Sequence, residues 1–222
     1  MPNHVVNILD LVGYQSHMKS VLDLIRSEDE KGNVNNFDFN KIRPMPEEIR
    51  HITSPVQIVS KKEYDKQQKE LKTGINNFRR NITKKMSDDY FQRFGADNWY
   101  DWALANWGTK WGSYDTEMGE IEPLIDPTGY VKVRITFQTA WSCSIQIIRF
   151  LSDLFPTITF TLTYADEDCG HNCGRLTLKD ANDKDVFQPE GGSNEAMEIY
   201  FECWGGEEQW EMVDGEWKWM YE

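Results

Sequence analysis

Residues 99–114 read WYDWALANWGTKWGSY and hold four tryptophans, Trp99, Trp102, Trp107 and Trp111. No other stretch narrows the fold as much, because large aromatic side chains bury the most area and dominate core energetics. The spacing of Trp99, Trp102 and Ala103 predicts one face of a short helix. Gly108 marks its end, since glycine takes the left-handed conformation that closes helices. The chain therefore turns sharply with indoles on both sides. Together with Trp141, these tryptophans are read as a structural packing hub; the competing reading is an aromatic binding cleft.

Charge divides the chain. The net charge is −13, yet residues 1–110 hold 17 Lys and Arg against 15 Asp and Glu, while residues 111–222 hold 7 against 22. Such asymmetry speaks to partners and solubility rather than to fold. Basic character is confined to residues 61–85, with nine cations and three acids. These read as two polar helices, roughly 60–72 and 85–94, around Gly74. They are either a basic patch for nucleic acid or an acidic partner, or a solvated insertion whose lysines pair with Glu63, Asp65 and Glu70 along the helix.

Periodicity supplies the frame. Residues 5–9 read as a strand, and Met18, Val21, Leu22 and Ile25 recur at helical spacing. Phe37 and Phe39 alternate with Asp38 and Asn40, the pattern of a half-buried strand. A turn is expected at residues 126–129. Residues 130–137 (YVKVRITF) and 157–164 (TITFTLTY) alternate cleanly and flank a helix over 144–154. Two strand–helix–strand units predict an α+β, ferredoxin-like fold. It would be a four-stranded antiparallel sheet with two helices on one face and a helical insertion between the two halves. Residues 1–188 form this domain, with the Trp-rich insertion at about 50–125. Residues 189–222 form an acidic extension, hairpin and tail, whose tryptophans keep it packed on the body.

Five stretches together resemble a known family: MPNHVVN at the start, FDFNKIRPMPEEI at 37–49, DWALANWGTKW at 101–111, ITFQTAWS at 135–142 and FPTITFTLTYADED at 155–168. They are similar to the YubB ferredoxin-like, or Api92-like, proteins of phages and plasmids. The resemblance implies a ferredoxin-like core and a mobile-element origin. It transfers no catalytic residue.

Chemistry-bearing motifs are sparse. Cys169, His171 and Cys173 offer three donors within five residues, but a structural zinc site needs four and usually paired CxxC spacing. No metal or cofactor is expected, and both thiols should sit in an accessible turn. No phosphate-binding glycine loop occurs, and no Ser or Cys nucleophile has a His partner in sequence context. The outward positions Lys132, Arg134, Thr136, Thr157, Thr159, Thr161 and Thr163 lack aromatics for base stacking, so direct nucleic-acid binding is not expected. There is no run of about eighteen apolar residues to cross a membrane, and the N-terminus lacks the regions of a signal peptide. A cytoplasmic setting in a host cell follows.

The expectation is thus a non-enzymatic accessory protein of a phage or mobile element that binds a host protein with a basic surface. Inhibition of a host defence or nucleic-acid-handling system is its sharpest form. Glu207, Glu208, Glu211, Asp166, Glu167 and Asp168 would supply charge, with Trp204 and Trp210 as apolar anchors. The alternatives are a nucleic-acid-binding module using residues 61–85, and a small-molecule enzyme with a cleft beside the Trp cluster.

Overall fold

The computed structural model of the protein describes residues 2–72, 80–125 and 129–220. The chain opens with β1 (His4–Tyr14) and α1 (Gln15–Ile25), then a small hairpin, β2 (Ser27–Glu28) and β3 (Val34–Asn35). Four helices follow: α2 (Phe39–Ile42), α3 (Lys61–Lys72), α4 (Lys84–Phe94) and α5 (Trp99–Trp107). Next come β4 (Tyr114–Met118), β5 (Glu122–Pro123), β6 (Tyr130–Ala140), α6 (Ile145–Leu154), β7 (Thr159–Asp166), β8 (Cys173–Lys179) and β9 (Asn182–Phe187). The chain closes with α7 (Asn194–Trp204) and the hairpin β10 (Trp210–Val213) and β11 (Glu216–Trp219). The Gly74 link and most of the turn expected at 126–129 lie outside the described residues.

One antiparallel sheet organises the molecule, in the order β4-β6-β1-β7-β8-β9 with β5 also on β6. It has seven strands, where the sequence suggested four. β1 lies in the middle, eleven residues long where only 5–9 were expected, because polar Asn7 and Asp10 interrupt its apolar run. Asn7 is fully buried and donates to the Thr139 hydroxyl on β6 at 2.8 Å, so a polar residue is tolerated in the central strand. Near the end of β1 the chain passes close to Ile158: a Cβ at Gly13 would stand 2.4 Å from the Ile158 Cδ1, so that methyl would have to move.

The second expected strand is corrected. Phe37 and Phe39 are both fully buried, but the backbone between them is a helix cap rather than a strand. Asp38 accepts from the Asn40 N–H at 2.8 Å and starts α2. Three alternating residues cannot separate those two conformations. The strand that flanks β6 instead lies at Tyr114–Met118, after the helices. The helical segment therefore precedes β4 rather than following a strand at 37–40.

Leu9, Leu11, Val133, Ile135, Phe137, Phe160 and Leu162 share one face of the sheet and pack with α1, α2, α5 and α6 into the main core. Trp102 and Trp107 are buried in that layer, with ring centroids 5.4 Å apart at a right-angled tilt. Trp107 donates its indole N–H to the Arg43 carbonyl at 2.9 Å and meets Phe39 edge-on. Gly108, at φ +80°, ends α5 with its N–H on the Ala103 and Leu104 carbonyls. Trp99 packs on the core from its rim.

The opposite face is covered only in part. α7 lies across β7 and β8, placing Ala196 and Ile199 on Ala165 and Cys173. Thr163, expected to point to solvent, is therefore buried beneath it. No helix among the described residues is long and apolar enough to cross a membrane.

Candidate functional site

Four of the five quoted sequence stretches meet at one end of the sheet. There the start of β1, the end of β6, the end of β7 and the loop after α5 come together, and Trp141 follows β6 directly. Its φ is +70°. A bulky side chain in that region is a genuine outlier. Both flanking peptides are held: the Trp141 N–H donates to the Asn3 carbonyl at 2.9 Å, and Asn172 donates its side-chain amide to the Trp141 carbonyl at 3.1 Å. Trp141 is 42% exposed. The expectation that Trp141 belongs to the packing hub is corrected, because the left-handed residue turns its ring outward from the sheet end.

Around that ring stand Lys110, whose ammonium is 4.4 Å from the Trp141 centroid and 4.9 Å from that of Trp111, and Tyr100, edge-on at 6.3 Å. Trp111 is half-buried. One ammonium is thus within attractive reach of the faces of two indoles. Beside this group Tyr114 approaches the His4 ring nitrogen at 2.6 Å. Burial, then the charges of Asp115 and Glu167, push its phenol up to about 12, so it remains a neutral hydroxyl.

Of the acids expected to meet a partner, Asp166 is corrected. It is 4% exposed, and its carboxylate accepts from Asn3 at 2.9 Å, from Asn172 at 3.0 Å and from the Asp168 N–H at 2.9 Å. It therefore shapes the loop that holds Trp141. Glu167 and Asp168, next in sequence, are exposed beside it. The three charges that looked equivalent in sequence divide into one organiser and two surface groups.

The tail divides similarly. Trp210 and Trp217 turn toward Phe201 of α7, with centroids 6.0 and 5.0 Å away. Glu211 lies on the other face of the hairpin, opposite Lys218. Glu207 and Glu208 are exposed in the preceding single turn of 3-10 helix. Trp204, expected as an anchor, donates its N–H to the Ala165 carbonyl at 3.0 Å and packs on the α7 layer. Indoles and acids of the tail thus do not share one surface, because strand alternation sends them to opposite sides.

Cys173 begins β8 and is buried under α7, so the expected accessible turn ends before it. Cys169 is half-exposed, with its sulfur 3.6 Å from that of Met197. Among the described residues no group of three His, Cys, Asp or Glu side chains is placed to hold a metal.

In the basic segment, Lys61, Lys66 and Lys84 pair with acids one turn on, at 2.8, 3.8 and 2.7 Å. Glu63, expected to pair with lysine, instead caps α3 reciprocally with Ser60. Sequence reasoning also missed aromatics on the open sheet face: Tyr14 and Tyr130 lie there edge-to-face at 4.6 Å. Both end their strands, where alternation carries little weight.

No curated protein matches the chain. A crystal structure of protein api92 from Yersinia pseudotuberculosis is similar at a TM-score of 0.45 and 9% identity, covering 86% of this chain and 99% of that one. A family model described as the ferredoxin-like domain in Api92-like protein matches residues 106–214. The match takes in Lys110, Trp111, Trp141 and the loop after β7, and it extends through α7. Residues 106–214 are thus a ferredoxin-like domain of the kind found in Api92-like protein.

Proposed function

We propose that this is a non-enzymatic accessory protein that binds a host protein with a basic surface, using the Trp141 end of the sheet as its anchor. The observation that carries the reading is the conformation of Trp141. A left-handed, non-glycine residue costs on the order of 1–3 kcal/mol and persists only where its surroundings over-determine it. Here Asn3 and Asn172 hold it, and the outcome is a large indole in solvent. Exposed, rigid tryptophans are the residues that dominate binding hot spots. Glu167 and Asp168 are exposed on the loop whose Asn172 holds the Trp141 carbonyl, and Glu207, Glu208 and Glu211 add exposed charge elsewhere on the acidic half. Charges at a rim steer encounter with a partner of opposite sign. A basic surface on the partner is one that commonly holds nucleic acid, so occupation of that surface would interfere with nucleic-acid handling or defence in the host.

Tagged protein is used to capture partners from a lysate of the cells that carry it, beside the Trp141→Gly and Trp141→Ala variants. One basic protein recovered in equimolar amount by the parent and lost with both variants is the expected result. Recovery undiminished by either variant, or nucleic acid as the captured species, overturns the reading.

A further inference from the structure

A second feature lies on the open face of the sheet, between the edge strand β4 and the C-terminal half of α7. It is a groove of about 440 Å3. Val6, Ile8 and Thr136 form its floor, Asp115 and Glu117 one wall, and Glu202 with Cys203 the other. The cations nearby are already matched. Arg134, which also lines the groove, gives both its Nε and Nη2 to Asp10 at 2.8 and 2.7 Å, Lys132 reaches the same carboxylate at 3.0 Å, and Arg175 pairs with Glu202 at 2.5 Å. Asp115 and Glu117 are different. Neither carboxylate has a hydrogen-bond or ion-pair partner among the described residues, although the β4 backbone is paired with β6.

We infer that this groove receives an arginine side chain of a partner protein, an inference that rests on the protein-binding reading above. Unmatched carboxylates over a concave, low-dielectric floor focus a negative potential into the cleft. That potential attracts a cation and repels phosphate, which argues against nucleic acid at this place. The floor then selects among cations. Val6 and Ile8 give an aliphatic stem apolar surface to lie on while its charged head stays at the wall. A guanidinium presents several N–H groups in one plane and can serve two carboxylates at once, whereas an ammonium is a compact, strongly hydrated charge. Arginine is therefore the better fit. A smaller depression of about 280 Å3 shares Arg134 and carries Glu120 and Glu122, so acidic wall continues along the same edge of the sheet.

The test uses the whole protein and a fluorescein-labelled hexa-arginine peptide, read by anisotropy at physiological salt. Asp115→Asn combined with Glu117→Gln should weaken binding at least tenfold. Thr136→Arg, which brings a guanidinium into the groove from within, should do the same. The triple change Asp23→Asn, Glu28→Gln, Glu30→Gln, at exposed acids away from the groove, removes more charge and should leave affinity within about twofold, and hexa-lysine should bind several-fold more weakly than hexa-arginine. Equal losses in the groove variants and the Asp23/Glu28/Glu30 variant, no loss in the groove variants, or equal affinity for the two peptides would each overturn the inference. Trp141→Gly separates the two readings: it should abolish capture of the cellular partner and leave peptide affinity unchanged. If it abolishes peptide binding instead, the arginine belongs at the sheet end and the groove assignment fails.

Discussion

The two faces of the central sheet are built from the same strands and put to different use. On the closed face Leu9, Val133, Phe137 and Leu162 are sealed under four helices and the Trp102–Trp107 pair. On the open face Asp10, Lys132 and Arg134 form an ion-paired cluster, and α7 covers only the β7–β8 side. The first face stabilises by area removed from water and tolerates no vacancy, since interiors are close-packed. Stability on the second comes from matched charge in partial contact with solvent, where each pair is worth less. The face that contributes less to stability is the one left partly in solvent.

Truncation of Trp107 should separate the faces most strongly. Trp107→Ala removes a 3% exposed indole and its hydrogen bond to Arg43, and should cost about 3–5 kcal/mol in denaturant unfolding. A loss under about 1 kcal/mol would mean that the closed face does not depend on its tryptophan layer.

Asp10→Asn probes the open face. It strips charge from the acceptor of Arg134 and Lys132 and should cost about 1–2 kcal/mol, below the upper range for charged hydrogen bonds because Arg134 is half-exposed. Burial opposes ionisation of Asp10, but hydrogen bonds from Arg134 and then Lys132 hold its carboxyl below the ordinary value of 3.8. The stabilisation is therefore fully present above the ordinary carboxylate range and is lost as pH falls through the lowered native value. Parent and variant should differ at pH 6 and converge in strong acid. A gap that widens on acidification would reverse the sign and remove the ion cluster from the account.

Trp141→Gly should have a smaller effect on stability, and of opposite sense to Trp107→Ala. Relief of the left-handed backbone, about 1–2 kcal/mol, is set against loss of the Lys110 and Tyr100 contacts and the greater freedom of glycine when unfolded. The melting temperature should stay level or rise slightly. A fall comparable to that of Trp107→Ala would place the indole among core residues.

Thiol labelling is the finest comparison. Burial pushes Cys143, on the closed face, up to about 12, and raises Cys169 less severely. Cys169 should react first under native conditions, with Cys143 and buried Cys173 reacting only on unfolding, as read by peptide mass spectrometry. Similar native rates for Cys143 and Cys169 would show that the closed face opens locally.

What the amino-acid order determined by itself is the part governed by short-range periodicity and backbone chemistry. The alternating runs within β6 and β7, the apolar stripe of α6 and the glycine that ends α5 each carry their signal within about a dozen residues. The paired lysines of α3 and α4 belong to the same class. Tertiary structure decided the rest. β4 is half-exposed and acidic, so nothing local distinguishes YDTEM from a loop until β6 offers it a register. Asp166 and Asp168 look alike in sequence, and only the approach of Asn3 and Asn172 makes one an internal organiser. The same holds for Trp107 and Trp141. Their buried payload is equal on paper, but where a side chain points depends on a backbone angle set by contacts from distant parts of the chain.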